Sequence, residues 1–478
     1  MFLPVVWSLY WLIGRRRPQN VLLLCASYFF YGWWDYRFCG LMLGSSLLDY
    51  FIGRSLDRTD DAKRRKALLT ASIIANVGVL CIFKYSGFFL DNLRTLTESV
   101  GLNPGDLTFN IILPIGISFY TFQTMSYTID IYRRQLKPSE SLIDYLGFVS
   151  FFPQLVAGPI ERASNLLPQF HKDRTFNYEF AASGCRLLLW GFFKKLVIAD
   201  RLSLIVDKAY AAPGEFQGPF LAFATVCFAF QIYCDFSAYS DMAIGTARLF
   251  GISLMRNFNY PYLSKSLGEF WRRWHISLST WFRDYVYLPL GGGRVTPTRR
   301  FINVMITFLV SGLWHGAAWR FIFWGGINGA GVAWDSQRAA SRKARGLPEP
   351  ARRSWPIEYL SAIYRTGVTF SIVCLGWIFF RADTFTDAFV VIGRVFADCA
   401  SGVGFAALKA ELRGDTLVTA ACLVGFAVFE WLQQNKECPL EITWIPRPVR
   451  WGIYTGTAWA SIVLLPLLES GDFIYFQF

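Results

Sequence analysis

The sequence predicts an all-α polytopic membrane protein, and three observations lead to that class. Hydrophobic residues make up 54% of its 478 residues, aromatics 18% and charged residues only 17%, where an ordinary soluble domain is about a quarter charged. Long apolar runs recur from one end to the other, and the mean hydropathy is +0.33. Basic residues collect in alternate connections, the pattern that lipid topology imposes.

The apolar runs in chain order are Val21–Trp34, Ala67–Phe83, Phe109–Ile129, Leu142–Ala157, Pro219–Tyr233, Phe301–Trp314, Ile363–Phe380, Leu417–Trp431 and Ile453–Leu468. A full span takes about 20 residues and shorter ones are tolerated inside a bundle, so roughly ten to twelve membrane helices are expected. No polar stretch is long enough for a separate soluble domain, so residues 1–478 read as a single membrane-embedded unit. Arg15–Arg17 follow the first apolar run, which places the N-terminus outside and leaves that run uncleaved; a secretory signal carries its positive charges first. The next basic clusters, Arg54 to Lys66 and then Arg133, Arg134 and Lys137, each come two passages further on. Between them the Asp91–Asp106 connection has one arginine against three acids. The net charge of +13 is therefore mostly topology. A nucleic-acid partner would need a basic face on a water-soluble fold, and none is visible.

Ten cysteines are scattered, mostly inside apolar runs, with no CxxC pair and no Cys/His spacing. They read as buried thiols, and no metal site is expected. The absence of a P-loop, a GxSxG elbow and a GxGxxG turn removes ATPases, serine hydrolases and dinucleotide enzymes. Attention falls on polar residues inside the membrane, and there are three such places.

The first is EFWRRWHISLSTWFRDYVYLPLGGG, Glu269 to Gly293. Wound at 100° per residue, it puts Trp271, Trp274, Leu278, Trp281, Phe282 and Tyr285 on one side. Glu269, Arg272, Arg273, Ser277, Ser279, Thr280, Arg283 and Asp284 fall on the other, and His275 lies at the edge of the apolar side. The stretch reads as an amphipathic interfacial or re-entrant helix. Headgroup anchoring accounts for the arginines but poorly for His275, because an ionisable group facing an apolar setting is costly. Arg272, Arg273 and Arg283 are alternatively candidates for binding an anionic substrate.

The second place is FQIYCDFSAYSDMAIG, Phe230 to Gly245, which puts Asp235 and Asp241 at the end of a strongly apolar passage. A carboxylate in hydrocarbon costs about 2.5–3.5 kcal/mol on insertion scales, so each should face a cavity, a partner or water at the membrane edge. Both are candidate substrate-site residues.

The third is FLVSGLWHGAAWRFIFWGGINGAG, Phe308 to Gly331, which holds His315, one of only three histidines. Arg294, Arg299 and Arg300 precede it, and Arg338, Arg342, Lys343 and Arg345 follow. Both flanks should be cytoplasmic, so Phe301–Trp334 should be a hairpin that enters and returns. Gly312 with Gly316, and Gly325 with Gly329, are small-residue pairs that let helix backbones approach. An imidazole kept neutral by an apolar place suits a general base near neutral pH. Such a base could free a hydroxyl oxygen to attack an activated acyl group. No serine or cysteine nucleophile is evident, which favours direct transfer over a covalent acyl-enzyme.

At these residues the chain resembles the membrane-bound O-acyltransferases, and among them the bacterial branch of alginate O-acetyltransferase membrane subunits. SGLWHGAAW (311–319) is similar to that family's catalytic-histidine motif, and FWRRWHISLSTWFRDYVYLPLGG (270–292) to its other hallmark block. YFFYGWW (28–34), LPIGISFYTFQTMSYTIDIYR (113–133), FFPQLVAGPIERASNLLPQF (151–170), YCDFSAYSDMAIG (233–245) and GWIFFRADTFTDA (376–388) match as well. Beyond about Ala400 no motif can be placed. The resemblance implies helices around a central tunnel, with His315 catalytic and His275 on the family's second histidine, which is expected to be secondary; Trp314 is a further candidate substrate-binding residue. It also implies an acyl donor on the cytoplasmic side, acetyl-CoA for alginate-type members, with no bound cofactor.

The expected function is O-acetylation of an exported polysaccharide, alginate first among candidates, at the bacterial inner membrane. D-alanyl transfer from a carrier protein to teichoic acid, or export without chemistry, are the alternatives. The outward loops look too short to grip a polymer, so a periplasmic partner protein is expected to receive the acyl group or present the polymer.

Overall fold

A computed structural model describes residues 1–102, 111–346, 355–434, 436 and 438–463, and these form helices and connections without a strand. The chain divides into two compact units that share helices. The first comprises Met1–Leu188 and Met242–Met255, the second Leu189–Asp241 and Arg256–Phe478.

The first unit starts with α1 (Phe2–Ile13), α2 (Arg16–Asp35), α3 (Arg37–Asp57) and α4 (Ala62–Leu80). Gly14 ends α1 in the left-handed region at φ 60°, and the Asp61 carboxylate caps α4 by accepting the Lys63 and Arg64 N–H groups, each at 3.2 Å. A π-turn at Cys81–Tyr85 passes α4 into α5 (Ser86–Ser99). The connection expected from Asp91 is thus helical as far as Ser99, and its end lies outside the described residues. There follow α6 (Ile117–Tyr132), α7 (Leu142–Ser150), α8 (Phe152–Leu155), α9 (Ala163–Phe170) and α10 (Tyr178–Phe193). The apolar run Leu142–Ala157 is therefore not one passage: the chain leaves the helix at Phe151, just ahead of Pro153. Polar groups stitch α3, α4 and α6. Buried Asp49 accepts from Ser72 Oγ at 2.6 Å and Asn76 Nδ2 at 2.7 Å, and the Ser72 and Thr128 hydroxyls lie 3.0 Å apart. Hydrogen bonds of this kind hold helices together where lipid removes the hydrophobic drive.

The second unit takes up α11 (Asp200–Ala211), α12 (Gly218–Leu249), α13 (Leu267–Arg273), α14 (Ile276–Phe282), α15 (Pro297–His315) and α16 (Trp319–Ala344). It continues through α17 (Trp355–Arg381), α18 (Phe385–Ser401), α19 (Phe405–Glu411), α20 (Asp415–Gln433) and α21 (Arg447–Val463). The unit boundaries at 188/189 and 241/242 fall inside α10 and α12.

Four helices among the described residues are long and apolar enough to cross a membrane: Ala62–Ser99, Gly218–Leu249, Pro356–Arg381 and Thr416–Gln433. The α18–α19 pair, bent by 111°, makes up to five. The ten to twelve membrane helices expected from the apolar runs therefore have to include helices shorter or more polar than these. Some runs are cut into short helices, and others, such as α3 and α6, carry the buried aspartate and hydroxyls that lower their hydropathy. The Phe109 run begins, and the Ile453 run ends, outside the described residues.

Candidate active site

α15 starts at Thr296, whose hydroxyl accepts the Arg299 N–H at 3.4 Å, with Pro297 in the first position, where the missing N–H costs nothing. It runs for about 27 Å at 1.5 Å per residue to His315. There Gly316 turns extended, at φ −158°, and α16 returns from Trp319. The hairpin over Phe301–Trp334 is thus present. Its arms touch at glycines: a Cβ on Gly312 would lie 2.2 Å from the Phe321 carbonyl oxygen, and one on Gly325 would lie 2.3 Å from that of Phe308. His315 is 4% exposed. Aromatic rings close around it, with centroids at 4.9 Å for Trp314, 5.0 Å for Trp324 and 5.7 Å for Phe380.

The stretch from Glu269 is not the continuous amphipathic helix its periodicity predicts. α13 stops at Arg273, Trp274 is extended, and His275 adopts the left-handed conformation at φ 43° as the residue before α14. That region is unfavourable for a residue with a Cβ and persists only where the surroundings impose it. Here a neighbouring segment imposes it. The Asn259 N–H donates to the Arg273 carbonyl, and the Ile276 N–H donates to the Asn257 carbonyl, both at 2.9 Å. The Asn257 side chain accepts the Ser277 hydroxyl at 2.9 Å and its N–H at 3.2 Å. These partners replace bonds that a continuous helix would make. Fully buried His275 then faces Phe236 edge-on at 4.6 Å and Trp314 at 6.1 Å.

The consequence is convergence. The His275 and His315 rings, forty positions apart in the chain, lie 6.5 Å apart between centroids, beyond direct ring-to-ring hydrogen bonding. Trp314 touches both. The third histidine, His171, belongs to the first unit, where it is partly exposed 3.4 Å from Asp144.

Next to this pair the second unit holds a cavity of about 510 Å³, lined among others by Trp271, Arg272, Ser279, Thr280, Phe282, Arg283, Tyr287, Thr307 and Ser311. Two rings in succession, one of them lining the cavity, stand between it and His315 on either route. Trp271 packs at 5.6 Å on Trp324, which meets His315, and Phe282 lies 6.4 Å from Trp314. The Trp271 indole is fixed by donating to Asn328 Oδ1 at 3.2 Å.

The three candidate arginines separate. Arg272 and Arg283 line the cavity and are exposed, with Arg283 bonded to Asp284 at 2.7 Å. Arg273 does not line it and is held by Glu269 at 2.6 Å, one helical turn back. Asp235 and Asp241 lie within α12 rather than at a membrane-edge loop, and they pair with Lys195 and Lys194 at 2.9 and 2.8 Å. Neither lines the cavity. Among the described residues no three His, Cys, Asp or Glu side chains converge as a cation site requires.

The sequence reading missed Asn257, Phe236 and both lysines. Lys194 and Lys195 had a visible signal, two cations inside LLLWGFFKKLVIA (187–199). Asn257 and Phe236 had none, since their importance comes from what packs on them.

Residues 108–375, a span that includes both histidines, match the membrane-bound O-acyltransferase family. The chain belongs to that family. It is an enzyme, a membrane O-acyltransferase, and similarity extends well beyond the matched span. It is 37% identical to a "probable alginate O-acetylase AlgI" of Pseudomonas putida, over all of this chain and 98% of the relative. It is 36% identical to a peptidoglycan O-acetyltransferase of Helicobacter pylori, over 82% of this chain and 77% of that one. A teichoic acid D-alanyltransferase of Streptococcus thermophilus is 29% identical over 56% of this chain and 68% of its own.

Proposed function

We propose that this acyltransferase moves an acetyl group from cytoplasmic acetyl-CoA towards hydroxyls of an exported polysaccharide, alginate in the first instance, at the bacterial inner membrane. The observation that carries the chemistry is the meeting of His275 and His315 at 6.5 Å beside a cavity with two arginines. The acetyl and alginate assignments draw on the full-length likeness to the Pseudomonas putida protein; the shorter likeness at lower identity to a D-alanyltransferase supports that reading less.

In the proposed reaction His315 accepts the proton of an acceptor hydroxyl while that oxygen bonds to the thioester carbonyl carbon. The carbon–sulfur bond breaks, and the imidazolium returns the proton to the leaving thiolate, so an ester and a free thiol are the products. The aromatic cage excludes water, which would otherwise hydrolyse the thioester. His275 and Trp314 orient the reacting groups. The donor lies in the cavity, its phosphates towards Arg272 and Arg283. Arg272→Ala and Arg283→Ala should each weaken acetyl-CoA binding to the detergent-solubilised protein by about threefold to tenfold, the usual net worth of a hydrogen bond exchanged with water. Arg273→Ala should leave it nearly unchanged. Equal affinity in all three variants would remove the arginines from donor binding.

The acceptor step is proposed to require a periplasmic partner protein, since a buried histidine pair within an aromatic cage has no surface along which to register a polymer. The decisive assay places the purified chain in liposomes with labelled acetyl-CoA inside and alginate, peptidoglycan strands or candidate partner proteins outside. Acetylation of alginate only when a partner is present is the expected result. Efficient labelling of bare polymer would refute the partner, and labelling of peptidoglycan in place of alginate would move the acceptor to the Helicobacter pylori type. Activity with a carrier-protein D-alanyl thioester, and none with acetyl-CoA, would overturn the donor.

A further inference from the structure

Five charged groups of the second unit form a cluster that the proposed reaction does not use. Lys194 and Lys195 open a π-turn, Lys194–Ala199, between α10 and α11. Adjacent side chains on an α-helix diverge by about 100°, yet here both lysines turn to the same partner helix. From this turn, a feature frequent at functional sites, both reach α12. Lys194 Nζ meets Asp241 Oδ2 at 2.8 Å and Ser237 Oγ at 2.6 Å. Lys195 Nζ meets Asp235 Oδ1 and Asp200 Oδ1, each at 2.9 Å. The lysine side chains are 3% and 12% exposed.

Such a cluster is a poor way to gain stability. Removing charges from water costs several kcal/mol per ion, and apolar side chains of similar volume often pack at least as well. Ionisable groups inside a membrane helix therefore point to a role in function. The place they hold supplies that role. The α12 segment between Asp235 and Asp241 carries Phe236, whose ring meets His275 at 4.6 Å. It also carries Ser240, which accepts a hydrogen bond from Asn257 Nδ2 at 3.1 Å. Asn257 in turn holds Ile276 and Ser277, the two residues after His275. Ring and backbone of His275 are thus both referenced to the stretch of α12 that the lysines grip.

We propose that Lys194 and Lys195 are positioning residues: they pin α12 so that Phe236 and the Ser240–Asn257 link hold His275 in its left-handed conformation facing His315. The proposal rests on the reading that His275 belongs to the active site. The liposome assay tests both, with kcat and the acetyl-CoA KM measured for Lys195→Met, Lys195→Arg, His275→Ala and the double variant Lys195→Met/His275→Ala at matched amounts of folded protein. Lys195→Met should lower kcat about tenfold with KM within about twofold, and Lys195→Arg should restore most of the loss; coupling of that size is usual between residues in one network. In the His275→Ala background Lys195→Met should cost little more. If Lys195→Met does not fold, Phe236→Leu, which leaves every ion pair in place, should give the same kcat loss and the same non-additivity. Equal fold-losses in both backgrounds would overturn the proposal while sparing His275. An unchanged kcat for His275→Ala itself would overturn the reading of His275, and the proposal with it.

Discussion

Replacing His315 with alanine is expected to lower acetyl transfer by about a hundredfold to ten-thousandfold, the range over which a positioned general base contributes. The expectation follows from where the imidazole sits. It ends α15, it is 4% exposed, and aromatic rings approach it at 4.9, 5.0 and 5.7 Å. No solvent base can reach such a place to substitute for it. The cage that excludes water also makes the loss specific, because Trp314, Trp324 and Phe380 pack on one another or on their helices and remain when the imidazole is gone. Turnover in liposomes and the acetyl content of secreted polymer should fall together, at normal protein levels. His275→Ala should fall less, since that ring is 6.5 Å from His315 and acts by orientation. Retention of turnover within a few-fold by His315→Ala would remove the base from the mechanism, and with it the assignment of the site.

Gly312→Ala should be the small substitution that most directly disturbs the α15–α16 hairpin through its backbone. Its new methyl group would stand 2.2 Å from the Phe321 carbonyl oxygen, which is backbone and cannot rotate away. The arms of the hairpin must then part, at a cost of about 1–3 kcal/mol for overpacking, and His315 follows three residues later on the same arm. Gly326→Ala is the control. It lies on the facing arm, yet its methyl group would meet only Leu309 Cδ2 at 3.8 Å, an ordinary contact. Gly312→Ala should unfold at a clearly lower temperature than Gly326→Ala in the same detergent and lose turnover even below that temperature. Equal unfolding temperatures would mean that the close approach of α15 and α16 is not what holds the histidine.

The two histidine blocks differ in how far they could be read in advance. Around His315 the hairpin and its close glycine contacts are as read, since two glycine pairs and a single imidazole are properties of consecutive residues. Around His275 the same periodicity argument failed. The helix it described is interrupted because Asn257 and Asn259, sixteen to eighteen positions earlier, take the backbone groups of Arg273, Ile276 and Ser277. A period of 3.6 residues records which side chains could share a face, and it does not record that another segment has captured the backbone. The arginines show the same limit: Arg272, Arg273 and Arg283 fall on one arc by winding, yet Glu269 draws Arg273 away and leaves the other two at the cavity.

What the sequence determined by itself was the solvent and the chemistry on offer. Apolar composition and alternating basic clusters specify an all-α membrane protein, because hydropathy is a sum over neighbouring residues. The residues around His275 and His315 mark a histidine site inside the membrane, and it is the resemblance of those two blocks to the membrane-bound O-acyltransferases that makes it an acyltransferase. The tertiary structure decided the number of long apolar spans, the 6.5 Å approach of two rings forty positions apart, and the strained backbone at His275. It also decided that Asp235 and Asp241 answer to lysines some forty to fifty positions earlier in the chain. Burying a charge or a left-handed histidine is unfavourable in isolation and is tolerated only when partners from elsewhere compensate it. Which partners those are depends on packing between segments far apart in the chain, and no local pattern of residues encodes it.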